Sequence, residues 1–130
     1  MGPRVRIARV YESPAPGEGT RVLVDRLWPR GMRRDDPRVG RWLPEVAPSA
    51  ELRRWYAHQP GLFDQFAERY RAELAEGTGA DALAALRALL DEGPLLLVTA
   101  TREPEQSHAA VLRNMLSGDR GLSRPQGRGR

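Results

Sequence analysis

The sequence predicts a small single-domain α/β fold, with a sheet that is at least partly parallel and about four flanking helices. Short apolar segments at 4–10, 21–25 and 95–100 have the length and composition of strands. Segments with helical spacing of their apolar residues separate the second strand from the third and also follow the third. Strands that alternate with helices in this way are typical of α/β domains.

The three predicted strands differ in how many of their faces should be buried. In the first, Val5 and Ile7 alternate with arginines, which predicts one covered face. The second has three consecutive apolar residues and the third reads LLLVTA, so both are expected to be central strands covered on both faces. The segment 12–19 between the first two strands is rich in Pro and Gly and predicts a loop. A further long loop is expected over residues 26–40.

The first two predicted helices lie in the middle of the chain. Ser49 is expected to be the N-cap of the first, which should end near His58 because Pro60 follows. The second is expected to start near Leu62, and its apolar residues recur with the spacing of a buried stripe. Those residues are Phe63, Phe66, Ala67, Tyr70 and Leu74.

Two more helices are predicted on either side of the third strand. Asp81 is expected to cap the first of these, and Gly93 with Pro94 to end it. The last helix is recognised by the apolar stripe His108, Val111, Leu112 and Met115. The domain is therefore predicted over residues 1–117, and residues 118–130, rich in Gly, Arg, Pro and Ser, are predicted to be a flexible tail.

Composition excludes several kinds of chemistry. The chain has no cysteine, which removes thiol nucleophiles and thiolate metal sites, and all 21 of its basic residues are arginine, which removes lysine-based chemistry. We expect no metal and no cofactor. The N-terminus lacks the apolar core of a signal peptide and no apolar run is long enough to span a bilayer, so we expect a cytoplasmic protein without a membrane partner.

The net charge of +4 is unevenly distributed along the chain. Residues 1–41 carry ten arginines and five acids, residues 42–117 carry seven arginines and eleven acids, and the tail carries four arginines and one aspartate. The predicted domain is therefore nearly neutral as a whole, with a basic N-terminal third. A dedicated duplex binder would present a uniformly basic face, so nucleic acid is a weak expectation as a partner.

The segment DRLWPRG at 25–31 is the first candidate for function. It directly follows the second strand, and ligands of α/β sheets bind beyond the carboxyl ends of strands. Arg26 and Arg30 carry planar donors suited to phosphate or carboxylate, and Trp28 offers a stacking surface. The alternative is structural: Asp25 pairs internally and Trp28 packs on the sheet, which the spacing alone favours.

Further candidates lie on the predicted helices, each with a structural alternative. Arg54 and His58 share a helix face, with Arg53 a quarter-turn away, and His58 would also suit a helix C-terminus. His108 lies near the start of a helix that follows a central strand, where it would be either a core histidine or a residue facing a ligand. Tyr70 belongs to a core stripe and Glu73 borders it. The sequence contains no phosphate-binding glycine loop, HExxH segment or nucleophile elbow.

The segments RVYESP, RVLVDRLWPRG, VAPSAELRRWYAH, FAERYRAEL and HAAVL together resemble the YeaO-like branch of the bacterial domain-of-unknown-function 488 (DUF488) family. The resemblance covers roughly residues 4–117 and implies a small cytoplasmic α/β protein without a settled activity. Arg53, rather than Arg54, falls within the family pattern. Where the family commonly has a basic residue followed by Asp after the third strand, this chain has Thr101 and Arg102. The matching positions are Asp25, Arg26, Trp28, Pro29, Arg30, Gly31, Trp42, Pro48, Ser49, Leu52, Arg53, Trp55, His58, Phe66, Tyr70, Glu73 and His108.

Three functions are compatible with this pattern, and the family match favours a polar pocket. The first is binding of, or action on, a small anion, either a nucleotide or a phosphorylated or carboxylated metabolite. The second is a nucleic-acid-binding accessory role for the basic N-terminal third and the tail. The third is protein interaction through tryptophan anchors. For the first function, the candidate catalytic residues are Asp25, His58 and His108, and the candidate binding residues are Arg26, Trp28, Arg30, Arg53, Tyr70 and Glu73. The sequence does not predict the oligomeric state.

Overall fold

The structure is a computed structural model that describes residues 4–15, 17–57 and 59–122, with side chains up to residue 118. The strands are β1 (Val5–Arg9), β2 (Thr20–Leu23), β3 (Arg41–Trp42) and β4 (Leu95–Thr99). The helices are α1 (Ala50–Tyr56), α2 (Phe63–Glu73), α3 (Gly77–Glu92) and α4 (His108–Leu122). The predicted α/β fold is confirmed.

The four strands form one sheet in the order β1-β4-β2-β3, and every neighbouring pair is parallel. Leu95 of β4 lies opposite Val5 on one side and Thr20 on the other. Because all strands run in the same direction, their carboxyl ends meet at one edge of the sheet. That edge brings together the residues that follow β1, β2 and β4.

The two faces of the sheet are covered by different kinds of structure. Val22 and Val24 face a core that contains residues from all four helices, whereas Leu23 between them faces a second cluster. In that second cluster, Met32 and Val39 are buried and Trp28 packs against them. The loop 26–40 therefore covers the second face, where α/β proteins more often place helices. Burial of β2 and β4 on both faces confirms the prediction made for them.

The starts of α1 and α2 follow the predictions, whereas the start of α3 does not. Ser49 caps α1 by accepting a hydrogen bond from the Leu52 amide at 3.1 Å. The prediction that Asp81 caps α3 is wrong, because α3 begins at Gly77 with Glu76 at its N-cap position. Gly79 lies near the start of α3, where the Cβ of any other residue would approach the Glu73 carbonyl oxygen to 2.8 Å. The closeness of the Glu73 backbone therefore requires a glycine at this position.

The last helix extends to Leu122, past the predicted start of the tail at residue 118. Leu116 is fully buried, so the helix is anchored in the core at that point. Residues 123–130, which make up most of the predicted tail, lie outside the described residues, as does His58.

Candidate functional site

The segment that follows β2 is held in a defined shape by its own aromatic residues. The Trp28 indole nitrogen donates to the Met32 carbonyl oxygen at 2.9 Å, and the Trp42 indole nitrogen donates to the Asp25 carbonyl oxygen at 2.8 Å. The two rings meet edge to face with their centres 5.3 Å apart. Gly31 has a φ of 80°, which lets the chain turn between Trp28 and its acceptor. Trp28 is therefore both a packing residue and a rigid support for its neighbours.

A cavity of about 540 Å³ lies at the carboxyl edge of the sheet, and we call it the arginine cavity. Its wall combines the segment after β2, the first turns of α1 and the residues that follow β4. The lining residues are Tyr11, Asp25, Arg26, Leu27, Trp28, Pro29, Arg30, Ala47, Pro48, Arg53, Arg54, Tyr56, Phe66, Thr99, Ala100, Thr101, Ser107 and His108.

Four arginines of the described chain line this cavity, and within that part of the chain only Arg26 has its guanidinium hydrogen-bonded. Arg26 donates through Nη2 to the Ala47 carbonyl oxygen at 3.0 Å. The guanidinium groups of Arg30, Arg53 and Arg54 make neither an ion pair nor a side-chain hydrogen bond with any other described residue. Both Arg53 and Arg54 line the cavity, although only Arg53 falls within the family pattern.

Among the described residues that line the cavity, Asp25 is the one carboxylate, and its oxygens already accept three hydrogen bonds. The donors are the Thr99 hydroxyl at 2.7 Å, the Ala100 amide at 2.8 Å and Nε2 of His108 at 3.0 Å. Burial acts to raise the pKa of Asp25, but these hydrogen bonds and the charge of His108 outweigh it, so the pKa lies below its usual value. Asp25 is therefore ionised at neutral pH.

His108, the first residue of α4, is held by two acceptors. Its Nε2 lies 3.0 Å from the Asp25 carboxylate and 3.1 Å from the Val24 carbonyl oxygen. Since both neighbours are acceptors, Nε2 carries a proton and donates it. The ring also meets the Tyr70 ring edge to face, with centres 6.3 Å apart. Asp25 and His108, both predicted as candidate catalytic residues, are thus brought together at the end of β2.

Glu73 does not line the cavity but fixes the helix that carries two of its arginines. Its carboxylate accepts from the Ser49 amide at 2.9 Å and from the Ser49 hydroxyl at 2.6 Å. These bonds join the end of α2 to the N-terminus of α1 and so set the position of Arg53 and Arg54. Glu73, predicted as a ligand-binding residue, has both of its carboxylate oxygens engaged by Ser49 and supports the wall of the cavity from behind.

Tyr70 is likewise absent from the cavity lining. It is fully buried, and its hydroxyl donates to the Val46 carbonyl oxygen. Burial, together with the nearby charges of Glu73 and Asp25, raises the pKa of Tyr70 well above its ordinary value. Tyr70, predicted as a ligand-binding residue, packs against His108 behind the cavity wall. The burial of Tyr70 was predictable from the sequence, since Tyr70 lies on the core stripe of α2.

Six of the nine predicted site residues line the cavity: Asp25, Arg26, Trp28, Arg30, Arg53 and His108. His58 lies outside the described residues. Tyr11, Tyr56 and Phe66 also line the cavity and were not predicted as site residues. Tyr11 follows β1, so it could have been predicted in the same way as Asp25, from its position beyond the carboxyl end of a strand. Tyr56 and Phe66 carry no such signal, because their apolar spacing predicts only core packing.

Fold and site together define a class: a parallel α/β protein with a cationic cavity at the carboxyl edge of its sheet. Residues 4–125 match the family model described as the inactive DUF488-N3 subclade. The chain belongs to the DUF488 family, which confirms the resemblance that its motifs carry.

Bacterial relatives without an assigned function cover nearly the same length. The uncharacterized protein Rv3073c of Mycobacterium tuberculosis is 56% identical over 115 residues, which span 88% of this chain and 95% of the relative. The uncharacterized protein YeaO of Escherichia coli is 35% identical over 112 residues, which span 86% and 96% of the two chains. No solved structure matches this chain.

Two structural findings bear on other kinds of site. Among the helices of the described ranges, none is both long and apolar enough to cross a membrane. Within the same ranges, no three histidine or acidic side chains cluster in a way that would hold a metal ion.

Proposed function

We propose that this protein binds a small anionic ligand, a nucleotide or a phosphorylated or carboxylated metabolite, in the arginine cavity. The observation that carries the proposal is the imbalance of charge in its lining. Four arginines face one carboxylate, which leaves a formal charge of +3 when His108 is set aside. Asp25 is already bonded to Thr99, Ala100 and His108, so it offers the arginines little neutralisation.

Like charges gathered at one cavity repel one another, and a bound anion relieves that repulsion. Guanidinium groups are also well shaped for this task, because their planar donors match phosphate and carboxylate oxygens in pairs. Arg30, Arg53 and Arg54 have all of these donors available among the described residues. Arg26 has its guanidinium oriented beforehand by the Ala47 carbonyl oxygen.

The aromatic part of the wall favours a ligand that carries a ring as well as a charge. Tyr11, Trp28, Tyr56 and Phe66 all contribute to the lining. The cavity volume of about 540 Å³ lies within the range of about 300–1,000 Å³ usual for small-molecule sites. A nucleotide combines a flat ring with phosphates and so suits both parts of the wall.

We propose binding without turnover, in the cytoplasm. The subclade description names these proteins inactive, and the geometry of the acidic residue agrees with that description. Asp25 already accepts three hydrogen bonds and its pKa is lowered, so it is a weak base toward a proton of a ligand. Asp25 and His108 then act as the polar floor that joins the ends of β2 and β4.

Replacing Arg53 with alanine should abolish stabilisation by anions while leaving the free protein as stable as before or slightly more so. The physical reason is that Arg53 is exposed and unpaired among the described residues, so its removal reduces repulsion in the empty cavity. The measurement is a thermal-shift screen of the wild type and Arg53→Ala against ADP, inorganic pyrophosphate and citrate. A ligand at 100 times its dissociation constant adds about 2.7 kcal/mol of stability.

Arg71→Ala is the matched control, because Arg71 is an exposed arginine of α2 outside the cavity. The control should keep the full ligand response of the wild type. Equal loss of response in both variants would mean that the anions act through overall charge. If no anion stabilises the protein but a single-stranded oligonucleotide binds with steep salt dependence, the nucleic-acid alternative would replace this proposal.

A further inference from the structure

A second cavity, of about 400 Å³, adjoins the arginine cavity. Ala100 and Thr101 line both cavities, so the short segment after β4 is a wall common to the two. The second cavity is completed by Arg102, Glu103 and Gln106. None of these three residues belongs to the lining of the arginine cavity.

The common wall is fixed from two sides. Arg9 donates to the carbonyl oxygens of Thr101 at 3.1 Å and Ala100 at 3.3 Å. From the arginine cavity, the Ala100 amide donates to the Asp25 carboxylate at 2.8 Å, and the Thr101 amide donates to the Thr99 hydroxyl at 3.2 Å. A ligand that occupies both cavities therefore passes over a rigid segment of only two residues.

The two cavities differ in charge, which indicates different chemical groups. The second cavity has one arginine, one carboxylate and one amide, so its formal charge is zero. Neither the guanidinium of Arg102 nor the carboxylate of Glu103 has a side-chain partner among the described residues. Donors and acceptors that occur together suit hydroxyl groups, since each hydroxyl donates one hydrogen bond and accepts others.

We propose that the two cavities together bind a phosphorylated sugar, with the phosphate among the arginines and the sugar in the second cavity. This inference rests on the proposed anion binding and names the class of its ligand. The same chemistry occurs in a simple sugar phosphate and in a nucleoside diphosphate sugar. The larger form would also place its base against the aromatic wall of the arginine cavity.

The test compares two matched pairs of probes by isothermal titration calorimetry. One pair is UDP and UDP-glucose, and the other is inorganic phosphate and glucose 1-phosphate. We expect the sugar to tighten binding about tenfold in at least one pair, as one or two added hydrogen bonds would. A gain confined to the first pair identifies a nucleoside diphosphate sugar, and a gain confined to the second identifies a simple sugar phosphate.

Gln106→Ala locates the sugar without altering the charge of the protein. It should remove the gain and leave the affinity for UDP or phosphate unchanged. Gln65→Ala is the control, because Gln65 is exposed on α2 and lines neither cavity. Equal affinities within both pairs, or a gain that survives in Gln106→Ala, would overturn this inference and leave anion binding standing. If none of the four probes binds, this inference falls, and the thermal-shift screen that includes citrate decides whether the proposed anion binding stands.

Discussion

Replacing Leu23 with alanine is expected to lower the free energy of unfolding by about 2–5 kcal/mol, because it empties a packed position in the core. Leu23 is fully buried in β2 and faces the cluster that the loop 26–40 covers. Its neighbours there include Met32 and Val39, which a loop rather than a helix contributes. Urea unfolding at neutral pH measures the effect.

Leu27→Ala is the matched control for this prediction. Leu27 lies four residues later, and 67% of its side chain is exposed. The same change of side chain should therefore alter the free energy of unfolding by no more than about 0.5 kcal/mol. Similar losses in both variants would show that the loop 26–40 does not seal the second face of the sheet.

Replacing Asp25 with alanine is expected to cost about 3 kcal/mol at neutral pH. The change leaves the Thr99 hydroxyl, the Ala100 amide and His108 without their shared acceptor. It also removes the one carboxylate that faces the four arginines of the cavity. Asp35→Ala is the control, since Asp35 is 82% exposed and its ion pair with Arg33 is equally open to water, so the stability should hardly change.

The loss caused by Asp25→Ala should depend on pH in a definite direction. The pKa of Asp25 is lowered in the folded protein, so its ionised form stabilises the fold above the unfolded pKa of about 3.9. That contribution disappears as the pH falls through the lower, folded pKa. The difference between wild type and Asp25→Ala should therefore be constant near pH 7 and shrink below about pH 4. A difference that stays unchanged in acid would contradict the role of the charged form.

Three of the four strands and the position of the site were predictable because local patterns determine them. Three consecutive apolar residues at 22–24 predict a strand with two covered faces, and Asp25 directly after them must lie at its carboxyl edge. The pairing of Asp25 with Thr99 was not predictable from the pattern. It depends on β4 lying beside β2, and strand order is set by how the helices pack rather than by any single segment.

The role of the loop 26–40 and that of Glu73 could not be predicted from the sequence, because both depend on contacts between residues far apart in the chain. The loop 26–40 lacks periodicity, so nothing local indicates that Met32 and Val39 substitute for a helix on the second face. Glu73 reads as a solvated border residue of α2, yet it bonds Ser49, 24 positions earlier. Ser49 itself was predictable, because an N-cap is a local property of the chain.

The most direct test of the central claim observes the arginine side chains themselves. Nuclear magnetic resonance of the guanidinium Nε–H groups, recorded during titration with pyrophosphate, reports each arginine separately once the resonances are assigned. We expect saturable shifts for Arg30, Arg53 and Arg54, and none for Arg71, an exposed arginine of α2 that does not line the cavity. Shifts absent from these three, or equally large at Arg71, would contradict the claim that the cavity binds anions.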